Sequence, residues 1–266
     1  MNPKTVIQKW YDAIGFPACY DAEFHTALER YAIDPAMTPM AYGTDCTDGK
    51  KNFLYYLYFC ERLQKQYRKA GIDDAIFLDT VSDIRLWLKT WSDVKGTLYL
   101  GEIHWLIYHF TMQLFKIGRL EYRMAKAECE IPERGITTKD NVVEIHIPAA
   151  GPLLQAECEQ SVDAARAFME KFYPEYHYSY FMCGSWLLDE GLAQYLDKDS
   201  NMIRFQKLFD IPKRVESDSI LMFTLGVNIN RENVNEAAAK TGFAQKVKEL
   251  AMQGETFYVG FGLIKK

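Results

Sequence analysis

Glu144 and His146 stand two residues apart in Asn141-Val-Val-Glu-Ile-His-Ile147, where the chain is rich in β-branched residues. In a strand both side chains turn to one face, while Val143, Ile145 and Ile147 take the other. Two proton-handling groups on one face, beside a strand end at Pro148, suit a general base and its helper acting directly or through water. The competing reading is a hydrogen-bonded structural histidine with a solvent-side glutamate. Cys183 and Ser185 lie at a second strand-to-turn junction and have the chemistry of nucleophiles; Cys183 paired with His146 would mean covalent catalysis. An unpaired cysteine is more commonly a small buried hydrophobe, and Ser185 equally suits a helix cap or an amide offered to a ligand. Asp199-Ser200-Asn201 opens a helix where Ser200 and Asn201 would orient a ligand or merely cap. His104 and His109 are five apart on an apolar helix, which is not the spacing of a helical metal pair, and His25 and His177 carry no signal. No metal is expected.

The small residues Ala149, Ala150 and Gly151 allow another molecule to approach the backbone closely. Ser161 then reads as an N-cap, with Val162, Ala165, Phe168, Met169 and Phe172 on one helical stripe. Strand, small turn and helix N-terminus together form a place for an anionic group such as a cofactor pyrophosphate, or an ordinary βα connection.

The 266 residues are long for one core and comfortable for two. Forty-eight per cent of residues are hydrophobic and 25% charged, as in ordinary globular proteins, and the 14% aromatic share implies substantial cores or aromatic-lined clefts. A net charge of −5 without a basic block argues against nucleic acid. The six cysteines (Cys19, Cys46, Cys60, Cys129, Cys158, Cys183) show no metal spacing, and the N-terminus shows no signal region. A cytoplasmic protein with free thiols is expected. The most apolar window, residues 98–115, is interrupted by Glu102, His104 and His109, so no membrane span is expected.

Five helices are expected in residues 1–117: from Asn2-Pro3 to Ile14, 21–31, 52–69, one beginning at Asp73 or Asp74 with a stripe running to Trp91, and 100–117. After Gly118 the period falls to two. Leu120, Tyr122 and Met124 alternate, and Ala125, Ala127, Cys129 and Ile131 follow on the opposite parity, which suggests a bulge near Met124. Further strands are expected at 142–147, 176–183, 220–225 and 257–264. Helices are expected from Ser161, over 201–209, and over 234–252 with a possible break at Thr241-Gly242. The boundary falls near residue 118, giving an N-terminal helical domain over 1–117 and a mixed α/β domain over 118–266.

The order of Gly118-Arg-Leu-Glu-Tyr122, Val143-Glu-Ile-His-Ile-Pro-Ala-Ala-Gly-Pro-Leu153, Cys183-Gly-Ser-Trp-Leu-Leu188, Ser200-Asn-Met-Ile-Arg-Phe205 and Val259-Gly-Phe-Gly-Leu263 resembles a bacterial acyltransferase family. That family joins an N-acyltransferase N-terminal helical domain to a GNAT-like C-terminal domain, and the resemblance spans nearly the whole chain. It implies an α+β protein whose C-terminal sheet is mixed and mostly antiparallel. It also implies acetyl-CoA or another acyl-CoA bound where strands 142–147 and 178–183 splay, with the acyl group passed to a small-molecule or peptide amine. Ile147, Ala149, Ala150, Gly151, Ser161 and Ser185 would then line the CoA, Ser200 and Asn201 the acceptor, and Glu144 and His146 would move the proton. The pattern departs from well-studied GNAT enzymes in two places. The phosphate loop has Gly151 as its only glycine, and a helical segment lies between the last two strands. A non-catalytic member of the fold and a Cys183-dependent hydrolase or transferase are the alternatives.

Overall fold

The computed structural model describes residues 2–43 and 47–266; Cys46 lies outside the described residues. Two compact units are formed, residues up to Ile117 with Pro148–Ala150, and Gly118–Ile147 with Gly151–Lys266.

The first unit is helical. Helices α1 (Pro3–Ile14), α2 (Asp21–Arg30), α3 (Pro39–Tyr42), α4 (Gly49–Ala70), α5 (Asp74–Val81), α6 (Ile84–Lys95) and α7 (Ile103–Phe110) precede a short strand, β1 (Leu114–Ile117). Much of the aromatic content is spent here: the Tyr11 and Phe24 rings stack at 3.7 Å, and Phe53, Tyr56 and Phe77 are fully buried. Helix α4 starts three residues before the expected Asn52, because Asp48 caps it by accepting from the Lys50 and Lys51 amides. The helix expected from Asp73 to Trp91 is two helices. The Arg85 amide turns back to Ser82 O, a tight i to i+3 bond that separates α5 from α6. The helix expected over 100–117 stops at Phe110. Met112 takes a left-handed φ of 54°, which a helix cannot continue through, and β1 follows. His109 in α7 is fully buried and bonded through Nδ1 to the Tyr56 hydroxyl at 2.7 Å, with burial lowering its pKa to about 3.

The second unit is built on strands β2 (Leu120–Lys126), β3 (Asn141–His146), β4 (Tyr180–Ser185), β5 (Asp210–Glu216) and β6 (Tyr258–Lys265). They hydrogen-bond in the order β2-β3-β4-β6-β5, with one parallel pair, β3 against β4, in an otherwise antiparallel sheet. Helices α8 (Gln155–Phe172), α9 (Asn201–Gln206), α10 (Ser219–Leu225) and α11 (Gly242–Met252) complete it.

Four expectations fail in this unit. The bulge near Met124 is absent, since β2 and β3 pair without a slip from Glu121↔His146 to Lys126↔Asn141. The parity changes because the chain leaves the sheet after Lys126 and folds back, with Ile131 bridging Ile136. There Ala127, Ile131 and Ile136 pack on Val142, Met182 and Leu263. Ser161 is not an N-cap. It lies inside α8, which begins at Gln155, and is buried with its hydroxyl accepting from the Leu120 amide at 3.1 Å and bonding the Tyr122 hydroxyl at 2.9 Å. Residues 220–225 form helix α10 rather than a strand; the short apolar run fits either period, and packing against Val247 and Leu250 of α11 decides it. The strand that does form is β5, which contains Pro212 and is tolerated because it pairs on one side alone, with β6. The helix expected over 234–252 is not continuous: Val234–Glu236 form a 3-10 turn, and α11 begins at the possible break at Thr241-Gly242, where Thr241 accepts from the Ala244 amide as a true N-cap.

Candidate active site

Strand parity sorts the sheet into two faces. On one, Tyr122, Val143, Ile145, Phe181 and Cys183 are buried, and α8 reaches this face through Ser161. On the other stand Arg123, Glu144 and His146, because Arg123 is the register partner of Glu144 and Glu121 that of His146. The parallel pairing then carries Met182, opposite Glu144, onto this second face and Gly184 after it.

Between β3 and β4 only Val143↔Phe181 and Glu144↔Met182 pair. Both strands continue past that point. His146 is still paired to Glu121 on β2, and β4 is still paired to β6 as far as Ser185↔Gly260. Two neighbours that each keep their outer partner but lose one another part at the carboxyl ends of β3 and β4.

Glu144 and His146 meet where that pairing ends. His146 Nε2 lies 3.1 Å from Glu144 Oε2, and Arg123 Nε donates to the same oxygen at 2.5 Å. The His146 side chain is 27% exposed and reachable, whereas that of Glu144 is 2% exposed. Burial alone would raise the Glu144 carboxyl, but hydrogen bonds from His146 and Arg123 outweigh it, so the group is held below its usual range and stays ionised. An ionised carboxylate bonded to an imidazole holds the ring and its tautomer in place, the arrangement that a general base requires.

The other expected residues divide. Ile147 is half-buried, and Ala149, Ala150 and Gly151 are exposed in the turn beyond β3. Gly151 adopts φ 78°, a left-handed conformation that suits glycine, and Arg119 donates to the carbonyls of Gly151 and Pro152, each at 3.0 Å. Leu154 precedes α8 without a side-chain cap, so the first-turn amides of α8 have no side-chain acceptor from their own cap. Ser161 is withdrawn from this turn by its bonds to β2. Ser185 caps a 3-10 turn by accepting from the Leu187 amide, and Ser200 caps α9 by accepting from the Ile203 amide. Neither serine, nor Asn201 at the start of α9, is hydrogen-bonded to Glu144 or His146. Cys183 is 1% exposed on the opposite face from His146, and burial drives its thiol far above the ordinary range, so a Cys183–His146 nucleophile pair is not formed.

Two residues escaped the sequence reading. Arg123 becomes visible only once the β2–β3 register is known. Glu128 sits where the chain leaves β2, and its Oε2 lies 2.6 Å from where a Cβ on residue 184 would stand.

Residues 114–264 match the family model of the GNAT-like C-terminal domain, and residues 17–112 that of the N-acyltransferase N-terminal domain. The chain therefore belongs to the family with an N-acyltransferase N-terminal domain and a GNAT-like C-terminal domain. Among solved structures it is similar to an acyltransferase mutant in complex with octanoyl-CoA (TM-score 0.78, 19% identity, 97% of this chain and 87% of that one). It is also similar to an acyltransferase in complex with decanoyl-CoA and teicoplanin (TM-score 0.76, 19% identity, 97% and 87%). A third is an acyltransferase in complex with CoA and 10C-teicoplanin (TM-score 0.77, 18% identity, 97% and 87%). At these identities the likeness is one of fold. No curated protein matches the sequence. No helix among the described residues is long and apolar enough to cross a membrane.

Proposed function

We propose that this protein is an acyl-CoA-dependent N-acyltransferase that moves an acyl group from the CoA thioester to an amine. The observation that carries the reading is the parting of β3 from β4 beside the Glu144–His146 pair. An extended pantetheine arm needs a slot with unspent backbone hydrogen-bonding groups, and two strands that stop pairing supply one. The CoA phosphates would lie against the turn from Ala149 to Gly151 and the uncapped start of α8, where amides and the helix dipole favour an anion. His146 would take the proton from the amine, with Glu144 compensating the imidazolium. Transfer needs no metal in this scheme.

Either acetyl-CoA or a longer acyl-CoA would satisfy the slot. The octanoyl-CoA and decanoyl-CoA complexes of the structural neighbours favour starting from the longer thioesters. The second reading, a non-catalytic acyl-CoA-binding module, draws on the phosphate turn, whose only glycine is Gly151. One experiment separates the readings. A ligand that binds only the folded chain must raise the melting temperature, by RT ln(1 + [L]/Kd) in free energy. Octanoyl-CoA, decanoyl-CoA and acetyl-CoA should each be compared with no ligand, and free thiol followed after an amine is added. A rise in Tm with amine-dependent thiol release supports the transferase. A rise without thiol release from any thioester favours the binding module, and no rise with any of the three rejects both.

A further inference from the structure

The helical unit holds a cavity of about 140 Å³ that the acyl-transfer scheme does not use. Its floor is Phe59 and Leu63 of α4 with Phe110 at the end of α7, all three buried. The Phe59 and Phe110 rings meet edge to face with centroids 5.5 Å apart. Met40 of α3 stands at the mouth, 64% exposed, an unbranched side chain able to fold over whatever enters. The volume is close to the about 150 Å³ of an apolar cavity that takes up benzene. Two polar side chains, Arg62 and Gln66, share the rim of this apolar recess. Arg62 follows Phe59, and Gln66 follows Leu63, by three positions on α4, so each stands one turn beyond an apolar wall residue. Other basic groups of that helix are matched: Lys65 lies beside Glu61, and Arg68 is paired with Asp74. Arg62 and Gln66 form no hydrogen bond or ion pair with any described residue. A guanidinium presents a planar fork of donors that fits a carboxylate, and a glutamine amide adds a further N–H beside it. A lone surface arginine would mean nothing. Here it stands beside a second unspent donor at the mouth of an aromatic-floored recess, so one helical turn meets both halves of an aryl acid.

We infer that this recess is a binding site for a small aryl carboxylate, its ring on Phe59, Leu63 and Phe110 and its carboxylate on Arg62 and Gln66. The entering ring adds a third member to an edge-to-face aromatic pair. The carboxylate receives charge-assisted hydrogen bonds from the guanidinium and a neutral one from the amide. A neutral aryl amide of the same shape forfeits the charge, and acetate leaves the aromatic floor uncovered. Binding makes and breaks no covalent bond, and the inference does not depend on the acyl-transfer reading.

The test uses the full chain and three probes: phenylacetate, its neutral isostere 2-phenylacetamide, and acetate, which lacks the ring. Each is titrated while the Met40 and Leu63 methyl signals are followed by NMR. Phenylacetate should saturate by about 10 mM, within reach of a ligand of about ten non-hydrogen atoms, and should shift both methyls. The amide and acetate should each bind about tenfold more weakly. Arg62→Gln, a change at an exposed side chain, should weaken phenylacetate about tenfold and erase its advantage over the amide. Arg62→Lys should keep part of that advantage, and Gln66→Ala should weaken the acid with the ring shifts unchanged in pattern. The methyl spectrum of each unliganded variant reports that the fold is kept. Failure of phenylacetate to saturate by about 10 mM overturns the inference. So does binding that survives Arg62→Gln, that leaves Met40 and Leu63 unmoved, or that acetate or the amide matches.

Discussion

Glu144 is buried, and burial by itself would neutralise it; two donors on one oxygen keep it charged instead. In the proposed transfer that balance gives the proton taken by His146 an adjacent negative charge. His146→Ala should lower kcat by about 10²- to 10⁴-fold, the usual contribution of a positioned general base. Thiol release with saturating octanoyl-CoA measures it, and an unchanged kcat would remove His146 from the chemistry. Glu144→Gln should also lower kcat, and it leaves Arg123 without its anion. Loss of one partner of a largely buried pair costs about 3 kcal/mol, readable in urea unfolding. The pH dependence has a definite sign. The folded Glu144 pKa lies below the ordinary 4.5, so its stabilisation is present above pH 4.5 and is lost as pH falls through the folded value. Glu144→Gln should flatten the acid limb of the stability curve. Glu144 and His146 were legible in the sequence because a period of two puts them on one face whatever the partners are. Arg123 and Glu128 were not, because one depends on strand register and the other on a chain segment that leaves the sheet.

Elements hold these side chains in place through contacts that single residues do not advertise. Strand β3 and the start of α8 are separated by a turn fastened by Arg119, and α8 is tied to β2 through Ser161. Ser161 had the composition of a helix start, followed as it is by an apolar stripe, and nothing local distinguished capping from an interior hydroxyl turned into a sheet. The difference is testable. Ser161→Ala leaves the Leu120 amide and the Tyr122 hydroxyl without their buried partner, which costs about 1–3 kcal/mol. The KM for acyl-CoA should stay within about twofold of wild type; a rise in KM with unchanged stability would return Ser161 to the phosphate site. The expected strand positions held at β3 and β6, each placed to within a residue or so. The reading failed at β5, whose proline and charges suit an edge, and at α10, whose five apolar residues fit two periods. The Gly260 backbone passes against Leu188, where a Cβ would come within 2.2 Å of the carbonyl oxygen. The glycine in Val259-Gly-Phe-Gly-Leu263 therefore belongs to packing, and Gly260→Ala should destabilise the fold by roughly 1–3 kcal/mol from overpacking.

At the scale of the whole molecule the chain carries 36 acidic against 31 basic side chains, and the two proposed substrates carry opposite charges. CoA brings phosphates toward a protein of net charge −5, whereas a protonated amine is drawn to it. Screening must therefore act on the two Michaelis constants in opposite directions. Between about 0.01 M and 0.15 M salt the Debye length shrinks from roughly 30 Å to about 8 Å, shorter than the protein but longer than a contact. Over that range KM for octanoyl-CoA should hold steady or fall as the long-range repulsion is screened, and KM for 2-phenylethylamine should rise as the attraction is screened. Initial-rate measurements at four or five salt concentrations, each substrate varied against a saturating partner, decide the matter. Parallel slopes for the two substrates would mean that the net charge of the chain does not govern how they arrive.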